Sequence, residues 1–225
     1  MNENPVTALS YRCRFEKCGP IRYISHLDLT RAFHRAFIRA EIPLKFSEGF
    51  SPHPKFAFAL PLSTGTESLV EMADFTLKPG FAMEPEALCA ALQKEMPAGI
   101  RLLSVKEEEG KFSEIALASY SILLPETSPE LIPAAEEALK GEIVVKKKNK
   151  KGKWVEKEIS GGMEEIRFAE ENGVLRMEAL LSVAGDSYLK PETILDVLKE
   201  RLGDESFTIR SIRRTGVYKI DRTPF

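Results

Sequence analysis

The stretch Arg22–Pro61 reads RYISHLDLTRAFHRAFIRAEIPLKFSEGFSPHPKFAFALP, and the fold follows from how it is parsed. Ser25 precedes an apolar-periodic run and Asp28 stands three residues later. That is a capping-box pattern with Asp in place of Glu or Gln. Leu29, Phe33, Ala36, Phe37 and Ala40 recur at helical spacing, which predicts a helix over 25–41 with one core face. Pro43 is the expected stop, because it pushes Ile42 toward extended geometry. Phe56, Phe58 and Leu60 then alternate, which predicts a strand over 54–62.

Working outward, residues 7–18 read as a strand stopped by Gly19-Pro20, and 69–78 as a strand closed by Pro79-Gly80. Pro85 opens a helix over 85–96, and 100–108 is a strand. The order β-α-β-β-α-β is the ferredoxin-like arrangement. The second half gives a strand at 113–124, a helix at 129–140, and a hairpin of 142–148 with 153–159. A second hairpin of 163–170 with 174–184, a helix at 191–202 and a strand at 206–214 follow. The expected fold class is therefore α+β, a tandem duplication of ferredoxin-like βαββαβ domains. Charge and Gly110 interrupt the pattern near Glu109–Lys111, so the expected domains are 1–110 and 111–225. Each should hold a four-stranded antiparallel sheet with two helices on one face.

Charge is unevenly spread. The chain carries a formal −2, yet from Arg12 to Lys55 nine cations stand against four carboxylates. A basic region on an acidic protein points to local electrostatic recognition rather than a general polyanion coat. Arg31, Arg35 and Arg39 recur every fourth residue on the helix. They read either as a solvated face or as a phosphate-binding row. With Pro52 and Pro54 holding the loop 47–55 extended, it is expected to fold back along the helix. The result would be a groove lined by Arg31, Arg35, His53 and Lys55, with arginines as forked phosphate donors. Lys146, Lys147, Lys148, Lys150, Lys151 and Lys153 cluster near a hairpin tip at Asn149–Gly152 beside Trp154. The preferred reading of this tip is a solvated turn; the alternative is a basic finger on RNA phosphates.

Three cysteines make no disulfide framework, so a reducing cytoplasm is the expected location. Cys13 and Cys18 are five apart and would point to opposite faces of a strand, which argues against shared metal ligation. No metal site and no cofactor is expected. No apolar run approaches the ~18 residues of a membrane span.

Three motifs carry a resemblance: Tyr23-Ile-Ser-His-Leu-Asp28, Glu48-Gly-Phe-Ser-Pro-His-Pro54 and Leu60-Pro-Leu-Ser-Thr-Gly65. Together they resemble a bacterial family of radical-SAM-linked proteins, over roughly residues 8–215. In that family the domain stands alone or behind a radical SAM domain. The resemblance implies a radical SAM protein as partner, encoded nearby or fused in relatives, and a role in RNA metabolism. The chain lacks the CxxxCxxC cluster motif, so it is not the radical SAM catalyst.

The expected function is an accessory RNA-binding module working with a radical SAM enzyme in RNA modification or processing, and not an enzyme by itself. Its nucleic-acid contacts would be Arg31, Arg35, Arg39, His53 and Lys55. One alternative is a metal-independent endoribonuclease, by architectural analogy with tandem ferredoxin-like ribonucleases. It would draw a base, an acid and a phosphate-binding cation from His26, Tyr23 and Lys55. A helix N-terminus disfavours the charged form of His26. The other alternative is a protein-interaction domain without RNA binding.

Overall fold

A computed structural model describes residues 8–148, 152–203, 207–209 and 211–225. The chain is an α+β protein with antiparallel sheets, and it falls into two compact units, Met1–Phe112 and Ser113–Phe225.

Unit 1 runs β1 (Ser10–Lys17), α1 (His26–Arg39), β2 (Phe56–Phe58), β3 (Thr66–Thr76), α2 (Pro85–Glu95) and β4 (Ile100–Glu107). Its strands lie in the order β4-β1-β3-β2, all antiparallel. Alternation in β1 turns Tyr11, Cys13 and Phe15 to one face. There they meet Leu29, Phe33 and Phe37 of α1 and Leu88 and Leu92 of α2 in one buried cluster. Burial pushes the Cys13 thiol up to about 12, so it behaves as a small apolar side chain.

The end of α1 differs from expectation. Pro43 does not stop it. Ile42 N–H reaches back to the Phe37 carbonyl (3.0 Å) and Glu41 N–H to that of Ile38 (3.1 Å). That is a Schellman ending, with Glu41 in the left-handed conformation (φ 57°) that glycine usually supplies. Ile42 and Phe37 are both buried, which supplies the hydrophobic contact of the motif. The strand expected over 54–62 shrinks to Phe56–Phe58, because Pro54 and Pro61 bracket it and neither can donate to a ladder.

Unit 2 runs β5 (Leu117–Leu124), α3 (Ile132–Ala138), β6 (Val144–Lys148), β7 (Trp154–Glu158), β8 (Met163–Glu171), β9 (Val174–Ser182), α4 (Pro191–Leu202) and β10 (Ser211–Tyr218). Its main strands lie in the order β10-β5-β9-β8, again antiparallel, while β6 and β7 form a separate two-stranded sheet. Asn172 and Gly173, both at positive φ, make the tight turn from β8 to β9. Gly203 in the left-handed region caps α4.

Two expectations shift here. The helix expected over 129–140 opens as a 3-10 turn, Pro129–Leu131, and only then becomes α3, with Pro133 in its first turn. The last strand is Ser211–Tyr218 rather than 206–214; residues 206 and 210 lie outside the described residues. The strand continues past 214 through a register shift between Arg214 and Gly216 in the β5–β10 pair, and at Gly216 a Cβ would come within 2.6 Å of the Tyr218 ring.

Candidate nucleic-acid interface

The helix α1 and the edge strand β2 form the surface that carries the family-resembling motifs. Ser25 caps α1: its hydroxyl accepts from Asp28 N–H (3.1 Å) and donates to the Asp28 carboxylate (2.7 Å). The Ser25 hydroxyl, and after it Arg31, hold the Asp28 carboxyl below its ordinary range. His26 and His34, on the flank of α1 beside β2, stand edge-on to Phe58 (5.3 Å) and Phe56 (5.5 Å). The pairs show that β2 runs antiparallel to the helix, with Phe58 at its N-terminal end.

That direction places the three catalytic candidates. His26 and Tyr23 sit at the N-terminal end of α1. Lys55 precedes Phe56 and lies at the other end, about 10 Å further along the strand at ~3.3 Å per residue. Tyr23 is engaged locally, its hydroxyl accepting from the Arg22 guanidinium (3.0 Å). The base, acid and cation of a ribonuclease site are therefore not gathered at one point.

The arginine row also divides. Successive i, i+4 steps advance 400°, so the row drifts ~40° per step around the axis. Arg31 stays in solvent and pairs with Asp28 (3.1 Å). Arg39 has turned to α2, where it holds the Glu95 carboxylate (2.7 Å) and the Glu95 carbonyl. Arg35 is exposed and makes no hydrogen bond or ion pair among the described residues.

The loop 47–55 does not lie extended along the helix. Phe46 pairs with Pro54, Ser47 N–H donates to the His53 carbonyl (2.8 Å), and His53 N–H donates to the Ser47 hydroxyl (3.1 Å). The loop uses its length to close on itself, with Gly49 at positive φ near the tip and Phe50 fully exposed. His53 is thus tied to Ser47, its ring Nδ1 lying 2.9 Å from the Ser47 hydroxyl.

What lies beside α1 is a cleft of about 730 Å³, within the range of ligand pockets. Phe37, Ile42, Leu44 and Phe81 make its apolar lining, and Ile38 and Phe46 are exposed at it. Lys45 and Lys78 bring cations and Glu41 a carboxylate. His34 also lines it; its Nε2 is buried without a hydrogen-bond partner among the described residues, and burial lowers its pKa. Main-chain bonds knit the basic segments together: Lys45 N–H to Thr76 carbonyl (2.8 Å), Lys55 N–H to Lys45 carbonyl (2.8 Å), Lys78 N–H to Pro43 carbonyl (2.9 Å). Lys45, Lys55 and Lys78, like Arg35, form no salt bridge among the described residues.

Sequence reasoning missed Lys45, Lys78, Phe46 and Ile38, because residues far apart in the chain meet only through the β3 pairing. It also missed how two motifs join: Gly65 N–H donates to the Arg22 carbonyl (2.8 Å), and Arg22 pairs with the buried Glu67 (3.2 Å). A Glu opening an apolar strand was the available signal. Among the described residues no group of three or more His, Cys, Asp or Glu is placed to hold a metal ion. No helix among them is long and apolar enough to cross a membrane.

Fold and surface together define an α+β protein with a basic, partly aromatic edge. The chain belongs to a bacterial family described as uncharacterised proteins conserved in bacteria (DUF2344), whose model matches residues 10–191. No curated protein matches the sequence. Among solved structures, an unknown protein from Galdieria sulphuraria matches at 14% identity and a TM-score of 0.28, over 88% of this chain and 95% of that one. A likeness this weak carries no argument.

Proposed function

We propose that the chain is a tandem of two ferredoxin-like units that binds single-stranded RNA along the α1–β2 edge and serves a radical SAM enzyme as a non-catalytic accessory. The shared strand pattern, β4-β1-β3-β2 and β10-β5-β9-β8, supports the duplication, since each unit places its first and third strands in the centre. RNA binding rests on one observation. Arg35, Lys45, Lys55 and Lys78 form no salt bridge among the described residues, while Phe46 and Phe50 stand exposed nearby in sequence and chain path. Unpaired cations with exposed rings are what a strand of phosphates and unstacked bases needs. The separation of Lys55 from His26 and Tyr23 favours binding over cleavage. The radical SAM partner rests on the motif resemblance.

The test is fluorescence anisotropy of a labelled single-stranded RNA at several salt concentrations. An Arg35→Ala, Lys55→Ala variant should bind more weakly, with the log–log salt slope reduced by about 0.7 for each phosphate no longer neutralised. A folded variant with unchanged affinity and slope overturns RNA binding at this edge. Co-expression with a radical SAM protein encoded near the chain should yield a complex; no complex removes the partner and leaves the RNA reading standing.

A further inference from the structure

Unit 2 departs from the plain strand and helix order at one place, the β6–β7 hairpin inserted between α3 and β8. Among the described residues its strands pair only with each other. The base is firmly rooted. Ile143 and Ile159 are buried there and hydrogen-bonded to each other (2.9 Å), and the Ser160 hydroxyl bridges Ile143 N–H and the Gly141 carbonyl. Burial is lost outward, and at the far end stands Trp154, 67% exposed. A large ring set where the hairpin has least to pack against is not there for the core. Lys148 lies directly opposite, its ammonium 5.2 Å from the ring centroid. Lys146 follows on the same face, and Lys146, Trp154, Val155 and Glu156 line an open groove.

The other face carries Lys147 and Lys157 beside Val145 and Val155. Lys157 donates to the Tyr188 carbonyl (2.9 Å), and its pKa is lowered by burial and then by neighbouring Lys147. Over both strands four lysines stand against Glu156 and Glu158, and Glu158 is already engaged with the Ser160 and Gly161 N–H groups. The topology adds a parallel. In unit 1 the connection from first helix to second strand exposes Phe50; in unit 2 the corresponding connection exposes Trp154.

We infer that the β6–β7 hairpin is a second contact for single-stranded nucleic acid, in which Trp154 stacks on a base and Lys146 and Lys148 take the adjoining phosphates. This replaces the solvated-turn reading for the described part of the hairpin; Asn149, Lys150 and Lys151 lie outside the described residues. The inference rests on the RNA-binding reading but names a different surface.

Trp154 is the single tryptophan of the sequence, so its emission reports this hairpin alone. The full chain is titrated with oligouridine at low salt, following tryptophan emission and, separately, the anisotropy of a labelled copy. Saturable quenching that tracks the anisotropy and weakens with salt is expected. Trp154→Ala should keep its melting temperature and lose about fivefold or more in affinity for the labelled RNA. A Lys146→Ser, Lys148→Ser variant should shift the quenching midpoint to higher RNA concentration. Anisotropy without quenching, together with unchanged affinity in Trp154→Ala, overturns the hairpin contact and leaves the unit 1 reading intact. Equal quenching by polyglutamate also overturns it, since the surface would then answer to charge and not to bases. No anisotropy change at low salt overturns both readings.

Discussion

Arg12 and Asp74 face each other across the β1–β3 pair, and the guanidinium donates to both carboxylate oxygens, at 2.7 and 2.8 Å. Its other edge donates to the Glu109 and Gly110 carbonyls, and it lies 4.3 Å from the Phe112 ring centroid. One side chain thereby fastens the segment after β4 to the sheet. Both partners are largely buried, so losing one leaves an uncompensated charge. Arg12→Met should cost about 3 kcal/mol in urea unfolding. An Arg12→Met, Asp74→Leu double variant should recover part of that loss, measured as a double-mutant cycle. Additive losses would show that the pair is not coupled.

Glu41 occupies a left-handed position without glycine's freedom. Glu41→Gly should stabilise unit 1 by about 0.5–1 kcal/mol, because relief of backbone strain exceeds the added unfolded-state entropy. A fall in thermal stability would contradict the Schellman ending of α1.

Arg35 and Arg39 are expected to behave oppositely. Arg39→Ala should lower stability by up to about 1 kcal/mol, since it removes a half-exposed tie to α2, with little change in RNA affinity. Arg35→Ala should leave the melting temperature in place and weaken RNA binding. Identical behaviour of the two variants would argue against the division of the arginine row.

His34 has a folded-state pKa below its ordinary value because burial penalises its charged form. The unfolded chain therefore binds the proton more readily, and stability rises with pH in this window. The contribution is complete above the ordinary imidazole range near ~6.5 and declines as pH falls toward the lower folded value. Melting temperature should drop between neutral pH and mildly acidic pH, and the drop should be smaller in His34→Leu. An equal slope in both proteins would place the titration elsewhere.

Much of the local structure was determined by sequence alone. Ser25, Asp28 and the Leu29–Phe33–Phe37 spacing specify α1 and its buried face, because capping and helical periodicity act within one or two turns. The same range covers the Asn172-Gly173 turn and the Gly203 cap. Tertiary structure decided the rest. The last strand reads as ending at 214 until its pairing with β5 carries it on to Tyr218, through a register shift between Arg214 and Gly216. Phe46 and Pro54 look like separate loop residues until they pair, and Arg39 looks like Arg31 until α2 brings Glu95 to it. Whether a cation is committed, or a ring covered, depends on groups dozens of residues away. Their positions are set by strand pairing and core packing, which no local pattern encodes.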